Sequence, residues 1–278
     1  MQVIVTGGNS GIGKGIAASL AADGHQVTIA CRTLAKAEEA LTEMTGDVDV
    51  KFLDLADLSS IAVFAHSMHP VDVLINNAAV FGIPLTRTVD GFEAHMGTNH
   101  LGHFALTCLL GTKIRDRVVS VVSTNYAFGS LHLDDLNWNH RRYSSMAAYA
   151  ESKLAAMLFI NELARRGVRA YAANPGQAAT DITRHSTGLV KRIVDRRPAA
   201  LTWTSQTLPQ AARSAVQAAS TELPSGTYFA PAFKQWGKPR VTMPLAKARD
   251  PIRAAELWRL STELTGCDWP GGEKATTS

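Results

Sequence analysis

Apolar, β-branched runs recur along the chain at 2–7 (QVIVTG), 26–31 (QVTIAC), 49–54 (DVKFLD), 71–77 (VDVLINN), 117–123 (RVVSVVS), 168–174 (VRAYAAN) and 226–231 (GTYFAP). Each is close to a continuous apolar run rather than a strict in–out alternation, the pattern of strands covered on both faces. Ala- and Leu-rich segments with helical spacing separate them at 12–23, 34–45, 58–67, 90–111, 146–166 and 210–221. This alternation predicts an α/β fold: one Rossmann-type, doubly wound parallel sheet of about seven strands, helices on both faces, right-handed crossovers. No repeat or linker divides the chain, so 1–270 reads as a single domain. The tail 271–278 (GGEKATTS) has the composition of a disordered end.

The turn after the first run changes the picture from fold to ligand. TGGNSGIG (6–13) places Gly7, Gly11 and Gly13, with Asn9, Ser10 and Ile12 between them, where a strand meets a helix. Glycines there allow a tight turn and close approach of a ligand, and the helix N-terminus offers free N–H groups to a pyrophosphate. The end of the second strand selects the dinucleotide. An acidic residue about 20 positions after the glycines would bind the adenosine ribose hydroxyls. This chain has Cys31, Arg32 and Thr33 there instead. Arg32 suits a 2′-phosphate, which a carboxylate would repel. NADP(H) is therefore the expected cofactor, with NAD(H) as the alternative.

Charge and composition add exclusions. Net charge is +4, but the basic pairs at 141–142, 165–166 and 196–197 are scattered, without the clustering and interleaved aromatics of a nucleic-acid surface. Cys31, Cys108 and Cys267 lie far apart, which argues against a disulfide framework or a zinc site and for a reducing compartment. With no apolar run of membrane-spanning length and no signal segment, the expected location is cytoplasmic, with no transmembrane segment. His100 and His103 have helical spacing but no Cys or carboxylate partner at ligand spacing, so a structural role is expected and no metal.

In AAYAESKLAA (147–156), Tyr149 and Lys153 stand one helical turn apart on one face. The pair gains meaning from what surrounds it. TGGNSGIG, LDL (53–55), NNAA (76–79), NHLGHF (99–104), VVST (121–124), Tyr149-x-x-x-Lys153 and NPGQAAT (174–180) occur in the order found in the short-chain dehydrogenase/reductase family, which the chain resembles over almost its whole length. Within the family, IACR, DGFEAHMGTNHLGHFALT and RRYSSMAAYAESKLA are most similar to the retinol dehydrogenase-like branch.

The resemblance implies an oxidoreductase in which Tyr149 is the general acid/base, Lys153 favours its phenolate and binds the nicotinamide ribose, Ser123 holds the substrate oxygen, and Asn99 shapes its helix around a water leading to Lys153. It also implies that Asp54 and Leu55 form the adenine pocket, that Asn76 and Ala78 lie along the cofactor, and that Pro175, Gly176 and Thr180 grip the carboxamide. The expected substrate is a small hydrophobic alcohol, aldehyde or ketone. An idle dinucleotide sensor and a reductase of activated double bonds are the alternatives. Three departures stand out: Ala79 replaces a customary glycine, Ser123 and Tyr149 are further apart than is usual, and the N-terminal anchor frequent in animal members of the branch is not seen. Thr124 and Ser120 are the fallback hydroxyls. The substrate-loop region spans about 177–209; within it, 182–203 carries Leu189, Val190, Ile193 and Val194 on one helical face and reads as a lid, or as an interfacial helix. Trp203, Phe229, Phe233 and Trp236 are candidates to line an apolar cleft. Family members often dimerise through the segments corresponding to 90–111 and 146–166, so a homodimer is possible.

Overall fold

The computed structural model describes residues 1–177, 206–233 and 235–270. Strands β1 (Gln2–Thr6), β2 (Gln26–Cys31), β3 (Val48–Phe52), β4 (Val71–Asn76), β5 (Ile114–Val121), β6 (Arg169–Ala173), β7 (Tyr228–Pro231) and β8 (Pro239–Val241) form one sheet in the order β3-β2-β1-β4-β5-β6-β7-β8. All neighbours pair in parallel except β7 and β8. The eighth strand departs from the expected seven. It is a three-residue antiparallel edge opening on a proline and largely exposed, so it leaves no apolar run to read.

The pleat sends alternate residues of the central strands to two separate cores. Ile4, Leu74, Val118 and Ala170 stand in register and face one side, against α3 (Leu58–Ser67), α5 (Gly102–Leu110) and α6 (Ser145–Arg165). Val5, Ile75, Val119 and Tyr171 face the other, against α1 (Gly11–Ala22) and α7 (Leu208–Ser220). The short α2 (Leu34–Leu41) follows β2. Because β2 and β4 flank β1 on opposite sides, the strand order reverses there, and open α/β sheets bind their ligands beyond the carboxyl ends of the strands at such a point, here β1 and β4.

The segment expected as one helix over 90–111 is divided. Thr86–Phe92 is held as a turn, with Thr88 N–H donating to Phe92 O at 2.8 Å. Glu93 then caps α4 (Ala94–Met96), its carboxylate accepting from Met96 N. A π-turn (Gly97–Leu101) joins α4 to α5. A helix absent from the sequence reading, α8 (Pro251–Thr265), opens on an Asp250 cap with Pro251 in its first turn and closes on Gly266 in the left-handed region. Its Trp258 packs on Phe104 and Phe159, centroids 5.0 and 5.8 Å away, with the Arg166 guanidinium 4.0 Å above the indole. Part of the α5–α6 face expected to meet a partner is thus covered by the chain itself. Among the described residues no helix is long and apolar enough to cross a membrane.

Candidate active site

The dinucleotide side grows from the end of β1. Gly7 and Gly11 take positive φ (+65° and +51°), which their turn requires. Gly13 is there for space: a Cβ on it would lie 2.2 Å from Gly7 O and 2.4 Å from Asn77 Nδ2. The first turn of α1 contains no acidic residue, and its N-cap Ser10 makes no side-chain cap bond, so the helix end keeps its N–H groups for an anion. These features fit a dinucleotide pyrophosphate.

The turn is held by a residue that the sequence reading quoted but gave no role. The Thr6 hydroxyl accepts from Asn77 N at 2.8 Å and Ala78 N at 3.0 Å, and lies 2.9 Å from His103 Nε2. Asn77 Nδ2 donates to Thr6 O at 2.8 Å. Asn76, the residue carried over from the resemblance, directs its side chain inward, donating to Thr107 Oγ1 at 3.1 Å. Of the NN pair, the second asparagine braces the glycine turn. A threonine closing an apolar strand, followed at the next switch strand by two amides, was the available signal.

At the end of β2, Arg32 is exposed, and its guanidinium stands 3.9 Å from Asp54 Oδ2. Asp54 and Leu55 lie beyond the end of β3 rather than on it. Asp54 is fixed by its own Oδ1 accepting from Ala56 N, and Leu55 is buried. The side chains expected to meet the adenosine end are therefore neighbours.

The proton-transfer side is on α6 and the π-turn. Tyr149 and Lys153 are both buried, with Nζ 5.8 Å from the centre of the phenol ring. Burial pushes the phenol up to about 12, while the Ser123 hydroxyl beside it pulls the other way. Burial also brings the Lys153 ammonium down to about 8. Sequence reasoning expects Lys153 to lower this phenol; the shift here is upward, set by the loss of water around the ring. Nζ donates to Val121 O at 3.0 Å, and an ammonium has two further N–H bonds to place. Ser123 lies just past β5, capping the single-turn helix at Thr124–Phe128 and accepting from Asn125 N at 3.3 Å.

Asn99 sits inside the π-turn, where Gly102 N–H reaches back to Gly97 O. Its amide accepts from Val80 N at 2.8 Å and donates to Val80 O at 3.1 Å and Ser152 Oγ at 3.0 Å. The Ser152 hydroxyl in turn donates to Tyr149 O. Phe81 meets the Tyr149 ring edge-on at 4.7 Å. Behind it lies a buried cluster in which Glu93 accepts from His95 Nδ1 and the Tyr143 hydroxyl.

The described residues after β6 are held against the loop that follows β7, with Gln177 N–H donating to Gln235 O at 2.8 Å. Gly176, at φ +73°, has no room for a side chain beside Gln235 O. Gln206 Nε2 donates to Pro175 O at 2.7 Å, and Gln235 reaches Thr124 Oγ1. Of the cleft aromatics, Phe229 is core, whereas Phe233 and Trp236 stack on each other at the surface. Thr180, Trp203 and the 182–203 lid segment lie outside the described residues, as do 271–278. His100 and His103 are buried with hydroxyl partners, Ser261 and Thr6.

A parallel sheet with this switch point, a glycine turn at β1 and a buried Tyr–Lys pair on the helix after β5 defines a class of dinucleotide-linked oxidoreductases. The family model described as short chain dehydrogenase matches residues 1–188, and the chain belongs to that family. It is 39% identical to retinol dehydrogenase 12 of Homo sapiens over 284 residues, covering 96% of this chain and 87% of that one. It is equally 39% identical to human retinol dehydrogenase 13, covering 96% and 85%. Among solved structures, an uncharacterized protein from Mycobacterium paratuberculosis is 42% identical with a TM-score of 0.84, covering 97% of this chain and 94% of the other. A structure from Beutenbergia cavernae described as an NAD(P)-dependent gluconate 5-dehydrogenase with bound NADP is 27% identical at TM-score 0.61, covering 79% and 89%. The chain is accordingly an oxidoreductase of the retinol dehydrogenase-like branch, with a nicotinamide dinucleotide cofactor.

Proposed function

We propose that the protein interconverts a hydrophobic alcohol and its aldehyde or ketone, using NADP(H) and Tyr149 as the general acid/base. The observation that carries this reading is the buried Tyr149–Lys153 pair beside Ser123. When bound, the cofactor supplies or accepts the hydride. In reduction, Tyr149 holds a proton at its phenol oxygen and delivers it to the carbonyl oxygen, which Ser123 Oγ keeps within reach. A phenol raised to about 12 stays protonated at neutral pH, the form an acid needs. Lys153, brought down to about 8, offers positive charge to the developing phenolate and a proton exchangeable near neutrality. Its two N–H bonds beyond Val121 O suit ribose hydroxyls and a water held at the π-turn by Asn99. Gly7, Asn9, Ser10, Gly11, Ile12 and Gly13 would hold the pyrophosphate, and Pro175, Gly176 and Thr180 the carboxamide. The apolar Phe81 face and the names of the 39% identical relatives support a hydrophobic substrate.

Arg32 supports NADP(H) over NAD(H). Its exposed guanidinium, facing Asp54 only at 3.9 Å, is free to pair with a 2′-phosphate. Titration of NADPH and NADH, repeated with Arg32→Ala, tests the preference. A charge-assisted pair of about 1.5–3 kcal/mol predicts roughly 10- to 100-fold weaker NADPH binding in the variant and little change for NADH. Equal wild-type affinity for both would overturn the assignment.

A further inference from the structure

We propose that His103 is a positioning residue: one neutral imidazole fastening the dinucleotide turn to the π-turn that carries Asn99. This rests on the NADP(H)-dependent reading of those two parts. His103 is the second residue of α5 and follows Asn99 by one turn. Its Nδ1 is 3.2 Å from Asn99 O and its Nε2 is 2.9 Å from Thr6 Oγ1.

The sense of each bond follows from its partners. A carbonyl only accepts, so the ring proton is on Nδ1. Burial, with the Lys153 charge adding to it against the opposing Asn99 bond, brings the ring down to about 3, so it carries no second proton at neutral pH. Nε2 is then an acceptor, and at 2.9 Å it is a nearer acceptor for the Thr6 hydroxyl proton than Ile75 O at 3.4 Å, so Thr6 donates to the ring. Both lone pairs of that hydroxyl remain for Asn77 N and Ala78 N. Ring and hydroxyl are fully used, in one direction, from the Asn77–Ala78 turn to the Asn99 carbonyl.

Beyond Asn99 the path continues through its amide to Val80 and Ser152, and from Ser152 to the Tyr149 carbonyl. A change in the cofactor turn therefore meets the Tyr149–Lys153 helix through atoms in hydrogen-bond contact. Packing alone does not need this arrangement, because an aromatic ring of the same size fills the space without either polar contact.

Half-bridges separate positioning from packing. In His103→Asn the amide reaches only as far as Nδ1, keeping Asn99 O and releasing Thr6. In His103→Gln the amide occupies the Nε2 position, keeping Thr6 and releasing Asn99. His103→Asn is expected to weaken NADPH binding, about tenfold, more than it slows turnover of an aromatic aldehyde; His103→Gln reverses the order, and His103→Phe shows both losses. ¹⁵N-imidazole NMR of the wild type should show one neutral, Nδ1-protonated ring that does not titrate between about pH 8 and 5. Overturning results are an Nε2-protonated ring, or Asn and Gln variants that lose thermal stability alike while NADPH affinity and kcat stay at wild type. A wild type that binds no NADPH would remove the dinucleotide reading, and the ring tautomer would still decide for or against the strut.

Discussion

Gly13→Ala sets two effects of opposite sign against each other. Gly13 is the third residue of α1 with ordinary helical φ, so alanine relieves its poor helix propensity by about 1 kcal/mol. The added methyl, however, would stand 2.2 Å from Gly7 O and 2.4 Å from Asn77 Nδ2. The first neighbour is backbone in the turn itself. The second is held by its 2.8 Å bond to Thr6 O, so neither swings aside freely. Overpacking of this kind costs about 1–3 kcal/mol, and loosening the Asn77 bond costs about 1 more. Sterics win, and a net loss of about 1–3 kcal/mol is expected, a fall of several degrees in Tm for a chain of this size. The displaced atoms form the dinucleotide turn, so NADPH affinity should fall at least about tenfold. Thermal unfolding and NADPH titration of the variant are the assays. A Gly13→Ala protein with raised Tm and unchanged affinity would refute both the packing reading and the cradle assigned to these residues.

Acid should unfold the protein through its buried imidazoles. His100 and His103 are both brought down to about 3 by burial, while an unfolded histidine takes its proton near 6.5. The unfolded state therefore binds more protons between those values, and stability is lost as pH falls through that window, by several kcal/mol at about pH 4; denaturant melts at pH 7, 5.5 and 4.5 measure the slope, and a flat profile would contradict it. Arg141 pairs with Asp135 and bidentately with the buried Glu151 while stacking 3.9 Å over Trp138. Arg141→Ala should cost about 3–5 kcal/mol by stranding the Glu151 charge, and adding Glu151→Gln should recover much of it in urea melts.

The sheet was legible because parallel strands buried on both faces leave uninterrupted apolar runs, as in Val3–Val5 and Val73–Ile75. Elements whose identity depends on tertiary contact were not. β8 has no apolar run and exists by pairing with β7. The π-turn is invisible in GTNHL, since widening a helix depends on which side chains find partners across it. α8 was missed despite its Asp250 cap, Pro251 and Gly266, because its buried face, Ala254, Leu257, Trp258, Ser261 and Thr265, is itself partly polar. In the site, the residue types that carry chemistry (Tyr149, Lys153, Ser123, Arg32) stood in recognisable order. Thr6 and Asn77, which hold those groups in place, were given no role, and His103 only a structural one without partners. Their roles depend on pairs 71 and 97 positions apart, and no local spacing encodes such pairs.

The most direct test of the proposed chemistry is turnover by Tyr149→Phe. The variant keeps the ring packed against Phe81 and lacks only the buried hydroxyl beside Ser123. Mixed with NADPH and a hydrophobic aldehyde, it should bind the nucleotide about as tightly as wild type yet turn over about 10²–10⁴-fold more slowly. Turnover within about tenfold of wild type, with NADPH bound, would contradict Tyr149 as the acid.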